Sequence, residues 1–164
     1  MPELVESSGP AALSARWRTA IDGYPARLVW SPDGRCLAVA AAEGIVSLYS
    51  ATAEANRHFE AHELGIQDIA WSHDGSRLAT GGLDGYARLW DRLGNEIAAL
   101  DAGGCWVQRV CFSPQGAILA TTAGRELRFW DLDGAPLNAC RPETYTIEDA
   151  HWLAGGSGVV TCAY

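Results

Sequence analysis

The sequence predicts an all-β fold made of repeated four-stranded antiparallel sheets. Two repeating patterns and the lack of helical periodicity support this prediction. An aromatic residue followed by a turn recurs at intervals of 41, 41 and 40 residues, at Trp30, Trp71, Phe112 and Trp152. A second aromatic series, in segments 48–50, 89–91 and 129–131, keeps the same register. Two series in the same register, one over three periods and one over two, indicate structural repeats.

The second repeat shows how each unit reads as four short strands. Residues 66–71 alternate apolar and polar side chains, which is typical of a half-buried strand. The Asp74–Gly75 pair then suits a tight turn, because glycine readily adopts a positive φ. The next strand, 78–82, consists largely of small residues that let neighbouring sheets approach closely. Two further strands follow, predicted at 86–91 and 96–100.

These residues carry a family resemblance. The Trp90–Asp91 and Trp130–Asp131 dipeptides, the Ser-Pro-Asp-Gly type of turn and the repeat length resemble WD40 repeats over 17–164. The resemblance implies a β-propeller, in which four-stranded sheets called blades are arranged radially. It implies binding of other proteins and leaves the identity of the partner open.

The repeat positions divide the chain into a tail and a series of blades. Residues 1–14 form an N-terminal tail, and residues 15–164 form the WD40 repeat segment. The predicted units of that segment are an outer strand at 15–22, blade 1 at 24–60, blade 2 at 62–101, blade 3 at 103–141 and a partial blade 4 at 143–164.

These units amount to an incomplete ring, whose unpaired edges would promote association. We expect the segment to need further blades from a longer chain, from a second chain or from self-association. Closure by two copies fits poorly, since two blades would lack their third strand. An unusually small closed propeller is the remaining alternative.

The resemblance also implies a hydrogen-bonded set of side chains within a blade. Blade 2 has all four residue types, as His62, Thr80, Asp84 and Trp90. A buried indole N–H needs an acceptor and a buried carboxylate needs donors, so these four should be buried and linked. Blade 1 departs from the pattern with Val39, Glu43 and Tyr49, and blade 3 has Gly103 and Gly124 in place of the histidine and the aspartate.

Composition excludes several function classes. The formal net charge is −8, whereas a nucleic-acid binder needs a basic face. No apolar stretch approaches the ~20 residues of a membrane-spanning helix, and no secretory signal is visible. These features favour the cytoplasm, although a domain taken from a secreted protein would look the same. The five cysteines, at positions 36, 105, 111, 140 and 162, are expected to be reduced, buried thiols.

No constellation of residues indicates catalysis, a metal or a cofactor. Ser72, His73 and Asp74 include catalytic residue types, but neighbours in a tight turn point apart, so a hairpin turn is the expected role. The four histidines lack zinc-like spacing, and no glycine-rich stretch resembles a phosphate loop. We therefore expect no enzyme activity, no metal and no cofactor.

The candidate binding residues lie where the chain enters each innermost strand. In the propeller fold these connections lie on one face near the central channel. Tyr24, Leu64, Trp106 and Tyr145 could form an apolar and aromatic contact ring there, or each could pack against a neighbouring blade. The sequence thus favours a non-catalytic protein-interaction or scaffold segment. The alternative is a propeller segment of a larger enzyme or regulator whose chemistry lies outside this chain.

Overall fold

The structure, a computed structural model, describes residues 20–21, 23–52, 55–142 and 144–163. Its regular elements in these ranges are all strands, arranged in antiparallel sheets of four, four, four and two strands. The predicted all-β fold is confirmed, and the described sheets do not close into a ring.

Each sheet follows the chain in simple order, so that every strand pairs with its sequence neighbours. Blade 1 contains β1 (Pro25–Trp30), β2 (Cys36–Ala41), β3 (Ile45–Ser50) and β4 (Ala55–Glu60). Blade 2 contains β5 (Ile66–Trp71), β6 (Arg77–Gly82), β7 (Tyr86–Asp91) and β8 (Glu96–Asp101). Blade 3 contains β9 (Val107–Phe112), β10 (Leu119–Ala123), β11 (Glu126–Trp130) and β12 (Pro136–Cys140). Blade 4 contains β13 (Ile147–Trp152) and β14 (Val159–Ala163).

The first hairpin turns of blades 1 and 2 are closed by side chains. The buried Ser72 accepts a hydrogen bond from the Arg77 N–H at 2.9 Å and donates its hydroxyl to Asp74 at 2.7 Å. Ser31 makes the same two contacts in blade 1. The short polar side chain substitutes for backbone partners in the turn, which explains why serine recurs at this position in blades 1 to 3.

The Trp-Asp dipeptides close the turn into the outermost strand. The Asp91 carboxylate accepts the backbone N–H groups of Leu93 at 2.8 Å and Asn95 at 2.9 Å. Asp131 accepts two N–H groups in the corresponding turn of blade 3. The aspartate of each dipeptide therefore positions the fourth strand.

The blades stack through their second strands, which are buried along their length in β2, β6 and β10. Small side chains are essential there, since an added Cβ at Gly81 would lie 2.8 Å from a Val107 methyl of the next blade. Ala38 and Ala40 likewise pack against Ile69 and Trp71 of blade 2. Small residues on one blade thus receive large residues from the innermost strand of the next.

The predicted outer strand at 15–22 lies mostly outside the described residues. Ile21 is described, and it packs as a partly buried side chain against Leu37, Val39 and Tyr49 of blade 1.

The expectation that the cysteines are buried is wrong for three of the five. Cys36 is buried and Cys111 is partly buried, and burial raises the pKa of the Cys111 thiol to about 12. Cys105, Cys140 and Cys162 are exposed. Cys105 lies in a connecting turn, Cys140 on the outermost strand β12 and Cys162 on the exposed side of β14. At Cys140 and Cys162, no neighbouring sheet of the described residues covers the apolar sequence pattern.

Tryptophans at the end of innermost strands tie one blade to the next. The Trp71 indole N–H donates to the Val29 carbonyl of blade 1 at 3.2 Å, and the Trp152 indole N–H donates to the Cys111 carbonyl of blade 3 at 3.0 Å. Trp30 holds the same repeat position in β1, where it is 44% exposed, against 8% for Trp71.

Trp71→Phe should lower the free energy of unfolding by about 1–3 kcal/mol, because the Val29 carbonyl loses its donor and the ring loses volume. Trp30→Phe is the matched control and should change the free energy by under ~0.5 kcal/mol, as expected for an exposed site. Urea denaturation of both variants measures the difference. Equal losses would show that the indole between the blades does not matter for stability.

Candidate functional site

The polar network of blade 2 links two strands and two connecting segments. Trp90 on β7 donates its indole N–H to the Thr80 hydroxyl on β6 at 3.0 Å, and that hydroxyl lies 2.8 Å from His62 Nε2. The other ring nitrogen, His62 Nδ1, lies 2.9 Å from an Asp84 carboxylate oxygen. The structure thus brings the four side chains of the sequence-derived set into one chain of contacts.

Arg88 completes this network, and sequence reasoning missed it. Its Nη1 lies 2.8 Å from both the Ala61 carbonyl and the Asp84 carboxylate, so both N–H bonds of that nitrogen are in use. The 2.7 Å approach of Arg88 to His62 Nδ1 is therefore a close contact rather than a hydrogen bond. His62 then carries its proton on Nδ1, donates it to Asp84 and accepts the Thr80 hydroxyl on Nε2.

The environment keeps His62 neutral and Asp84 ionised. Burial lowers the pKa of His62, and the Asp84 carboxylate offsets only part of that effect. Burial alone would raise the pKa of Asp84, but hydrogen bonds from Arg88, the Tyr86 N–H and His62 outweigh it and lower this pKa. Gly82 leaves room for the pair, because an added Cβ would lie 2.1 Å from His62 Nδ1.

Blade 3 replaces the histidine network with an ion pair. Trp130 still donates to Thr121 at 3.0 Å, but Arg128 bonds the Glu126 carboxylate at 2.7 Å and the Asp101 carbonyl at 3.0 Å. The arginines of blades 2 and 3 therefore each anchor the end of the fourth strand of the preceding blade, or the residue that follows it.

A second polar feature, also missed from the sequence, runs across the innermost strands. Asp68 on β5 lies 3.2 Å from Arg27 of blade 1 and 3.4 Å from Arg109 of blade 3, and it accepts the Val110 N–H. Arg109 in turn lies 2.7 Å from Asp149 of blade 4. Burial raises the pKa of the Asp68 carboxyl, while the Val110 N–H and the two arginines act against this. The sequence signal that could have revealed this feature is the alternation of arginine and aspartate at equivalent positions of successive repeats.

The connections into the innermost strands share one face, which we call the connection face. They are the segments that carry Tyr24, Leu64, Trp106 and Tyr145. Three contacts between blades join them: Gly65 lies against the Ala42 carbonyl, Gly85 against Gly104, and the Ile147 N–H donates to the Gly124 carbonyl. The connections that carry Leu64, Trp106 and Tyr145 therefore rest on the second hairpin turn of the preceding blade.

The four candidate binding side chains project from this face. Tyr24, Leu64, Trp106 and Tyr145 are between 61% and 79% exposed, so packing against neighbouring blades does not account for them. Their backbones are held: the Tyr24 N–H, for example, donates to the Glu43 carboxylate at 3.0 Å. Leu64 lies two residues after His62, so the blade 2 network anchors its connection.

A cleft of about 560 Å³ opens beside Trp106. Its lining is mostly polar and charged, from residues Arg27, Gln67, Trp106, Gln108, Arg109, Thr146, Glu148 and Asp149. The connection face therefore combines exposed apolar side chains with hydrogen-bonding groups of both charges.

The residues Ser72, His73 and Asp74 form a turn. Hydrogen bonds from the Ser76 N–H and the Ser72 hydroxyl lower the pKa of Asp74 to about 2, and His73 takes no part in them. Among the described residues, no three His, Cys, Asp or Glu side chains are placed to hold a metal ion. Over the same ranges, no helix is long and apolar enough to cross a membrane.

The stacked four-stranded sheets, the tryptophan–threonine bonds and the Trp-Asp turns define a segment of a β-propeller. Residues 54–91 and 94–131 match the family model described as WD domain, G-beta repeat. Two WD40 repeats of this chain are therefore matched, and the stacked sheets around them are consistent with an incomplete WD40 propeller. A search of curated proteins found no match.

Asp84→Ala should lower the free energy of unfolding by about 1–3 kcal/mol, because it leaves His62 and Arg88 without their acceptor. Asp133→Ala, in an exposed turn, serves as the control and should change it by under ~0.5 kcal/mol. Chemical denaturation measures both. Equal stabilities of the two variants would contradict a stabilising role for the network.

Acidification should destabilise the fold through His62. Its folded-state pKa is lowered from 6.5, so below about pH 6.5 the unfolded chain binds a proton that the folded chain does not. The stability that neutral His62 contributes is thus fully present above that pH and falls below it, by at most ~1.4 kcal/mol per pH unit for one proton. The lowered pKa of Asp84 affects stability only below pH 3.8, the ordinary pKa of this carboxyl group.

The test compares unfolding free energies at pH 7.5 and 5.5 for the wild type and His62→Gln, in which an amide keeps hydrogen-bonding capacity without titrating. The variant should lose less stability between the two pH values. The same loss in both proteins would exclude His62 as the titrating group.

Proposed function

We propose that the chain is a non-catalytic protein-interaction segment that binds its partner through the connection face. WD40 repeats generally mediate interactions between proteins, and WD40 domains are typically non-catalytic. The observation that carries the proposal is the joint exposure of Tyr24, Leu64, Trp106 and Tyr145 on segments whose backbones are held. The cytoplasm is the compartment we propose, on the sequence features given above.

The exposed side chains suit a peptide-like partner. Aromatic residues supply large contact areas at low entropic cost and act as anchors in protein interfaces. The adjoining cleft contains arginine and carboxylate groups, which would orient a bound segment through hydrogen bonds. We therefore expect a partner segment that places an apolar side chain on Trp106 and polar groups in the cleft.

A random peptide display library selected on the immobilised chain tests this proposal. Trp106→Ala should weaken binding of the selected peptides at least tenfold, the loss of about 1.4 kcal/mol or more expected of an interface anchor. Leu137→Ala provides the control, because Leu137 is also an exposed apolar residue but lies on the outermost strand β12. It should leave binding within twofold of the wild type.

The result that would reject the connection face is a set of peptides that bind wild type and Trp106→Ala equally well. Loss of binding in Leu137→Ala alone would instead assign the interaction to the outer edge of blade 3.

A further inference from the structure

A second cleft, of about 430 Å³, opens between blades 1 and 2. Blade 1 supplies four of its lining residues and blade 2 supplies two, and all four strands of both blades are described. Three of these residues are arginines and none is acidic, in a chain whose formal net charge is −8. We call this site the arginine cleft, and its lining residues are Arg35, Cys36, Leu48, Arg57, Arg92 and Leu93.

The arginine cleft lies at the opposite end of the strands from the connection face. In an antiparallel blade, the turns after the first and third strands lie at one end, and the connection to the next blade lies at the other. Arg35 lies in the turn between β1 and β2, and Arg92 and Leu93 lie in the turn between β7 and β8. The cleft is therefore a surface separate from the one that presents Trp106.

The apolar part of the cleft has a buried floor and an exposed rim. Cys36 and Leu48 are buried and form the floor. Leu93, at the rim, is 69% exposed. An apolar side chain of a partner that entered the cleft would remove both the rim leucine and part of itself from water, which favours binding.

Two of the arginines keep hydrogen-bond donors free. Arg57 donates one N–H to the Asn95 side-chain carbonyl at 2.8 Å, and its guanidinium lies 6.0 Å from the centre of the Phe59 ring. Arg35 is exposed, and no carboxylate of the described residues lies within ion-pair distance of its side chain or that of Arg57. Because a guanidinium has five N–H donors, both can bind an added anion.

The carboxylates near the cleft are engaged in turns. Asp33 accepts the Ser31 hydroxyl at 2.6 Å and Arg92 Nη2 at 2.7 Å, and these bonds, with a backbone N–H, lower its pKa to about 2. Asp91 accepts two backbone N–H groups of its own turn at 2.8 and 2.9 Å. Three arginines against two carboxylates leave a positive balance at the cleft.

We propose that the arginine cleft binds an acidic peptide segment of a partner protein. Carboxylates of the segment bind Arg35 and Arg57, and an apolar side chain lies between Leu93 and the floor. The planar guanidinium suits this partner, because it can bind a carboxylate through two parallel hydrogen bonds. The net charge of −8 repels acidic segments from the rest of the surface, so the positive balance directs them to this cleft.

A pair of peptide libraries selected on the full chain tests the proposal. The first contains nonapeptides built from Asp, Glu, Leu, Gly and Ser, and the second has Asn and Gln in place of Asp and Glu. Binders should come from the acidic library. Arg35→Glu should weaken them at least about tenfold, and Leu93→Ala at least about threefold. Both variants replace exposed side chains, so the fold should survive, which circular dichroism checks.

Arg125→Glu is the matched control, since it makes the same charge reversal at an exposed arginine between β10 and β11, at the connection-face end of the strands. It should leave binding of the acidic peptides within about twofold of the wild type. Because the control lies at the other end, the result is independent of whether the connection face binds a partner.

Four results would overturn the proposal. The neutral library could yield equally tight binders, which would remove the role of charge. The acidic peptides could bind Arg35→Glu like the wild type, or lose as much affinity in Arg125→Glu, and either result would place them elsewhere. A single-stranded DNA oligonucleotide could bind more tightly than the peptides and depend on Arg35, which would assign the cleft to phosphate groups. Self-association abolished by Arg35→Glu would make a second copy the occupant.

Discussion

The structure depends on one packing constraint: the inner strands of neighbouring blades lie in direct contact, so the second strand of one blade must leave room for the innermost strand of the next. In β6 this requirement appears at Gly81, which has no room for a Cβ beside Val107 of the next blade. The small residues of second strands and the large residues of innermost strands are therefore two halves of one contact. Stability is distributed between neighbouring blades rather than held within each sheet.

Polar side chains at the ends of the closely packed blades form hydrogen bonds and ion pairs that differ between blades 2 and 3. Blade 2 uses a neutral histidine between a hydroxyl and a carboxylate, with Arg88 binding the same carboxylate. Blade 3 has glycine at the histidine position and uses the Glu126–Arg128 pair. In both blades the arginine reaches a carbonyl at the end of the fourth strand of the preceding blade or just beyond it. A carboxylate of the arginine's own blade holds it in that position.

The same packing brings functional side chains to one face. Because each connection between two blades rests on a turn of the preceding blade, its backbone is held while its tip projects outward. The connection face carries aromatic and apolar tips, and Arg27 and Asp149 line the cleft beside Trp106 on the same face.

The sequence alone determined the strands and the turns, and its resemblance to WD40 repeats implied the blade 2 network. The strands and turns follow from alternation of side chains, from turn residues such as Asp74–Gly75, and from the period of 40 to 41 residues that aligns the repeats. Arg88 was missed because an arginine on an alternating strand is expected to face solvent. The exposure of Cys140 and Cys162 was missed because an apolar pattern does not show whether a neighbouring sheet covers it.

The pairing of charges across the innermost strands was decided by tertiary structure. Arg27, Asp68, Arg109 and Asp149 are visible in the sequence as isolated charges about 41 residues apart, and nothing local distinguishes them from surface charges. They become partners only when the innermost strands stack side by side, which brings their side chains to between 2.7 and 3.4 Å of one another. Local periodicity is a property of consecutive residues, whereas the pairing of distant charges depends on how one sheet is placed against the next.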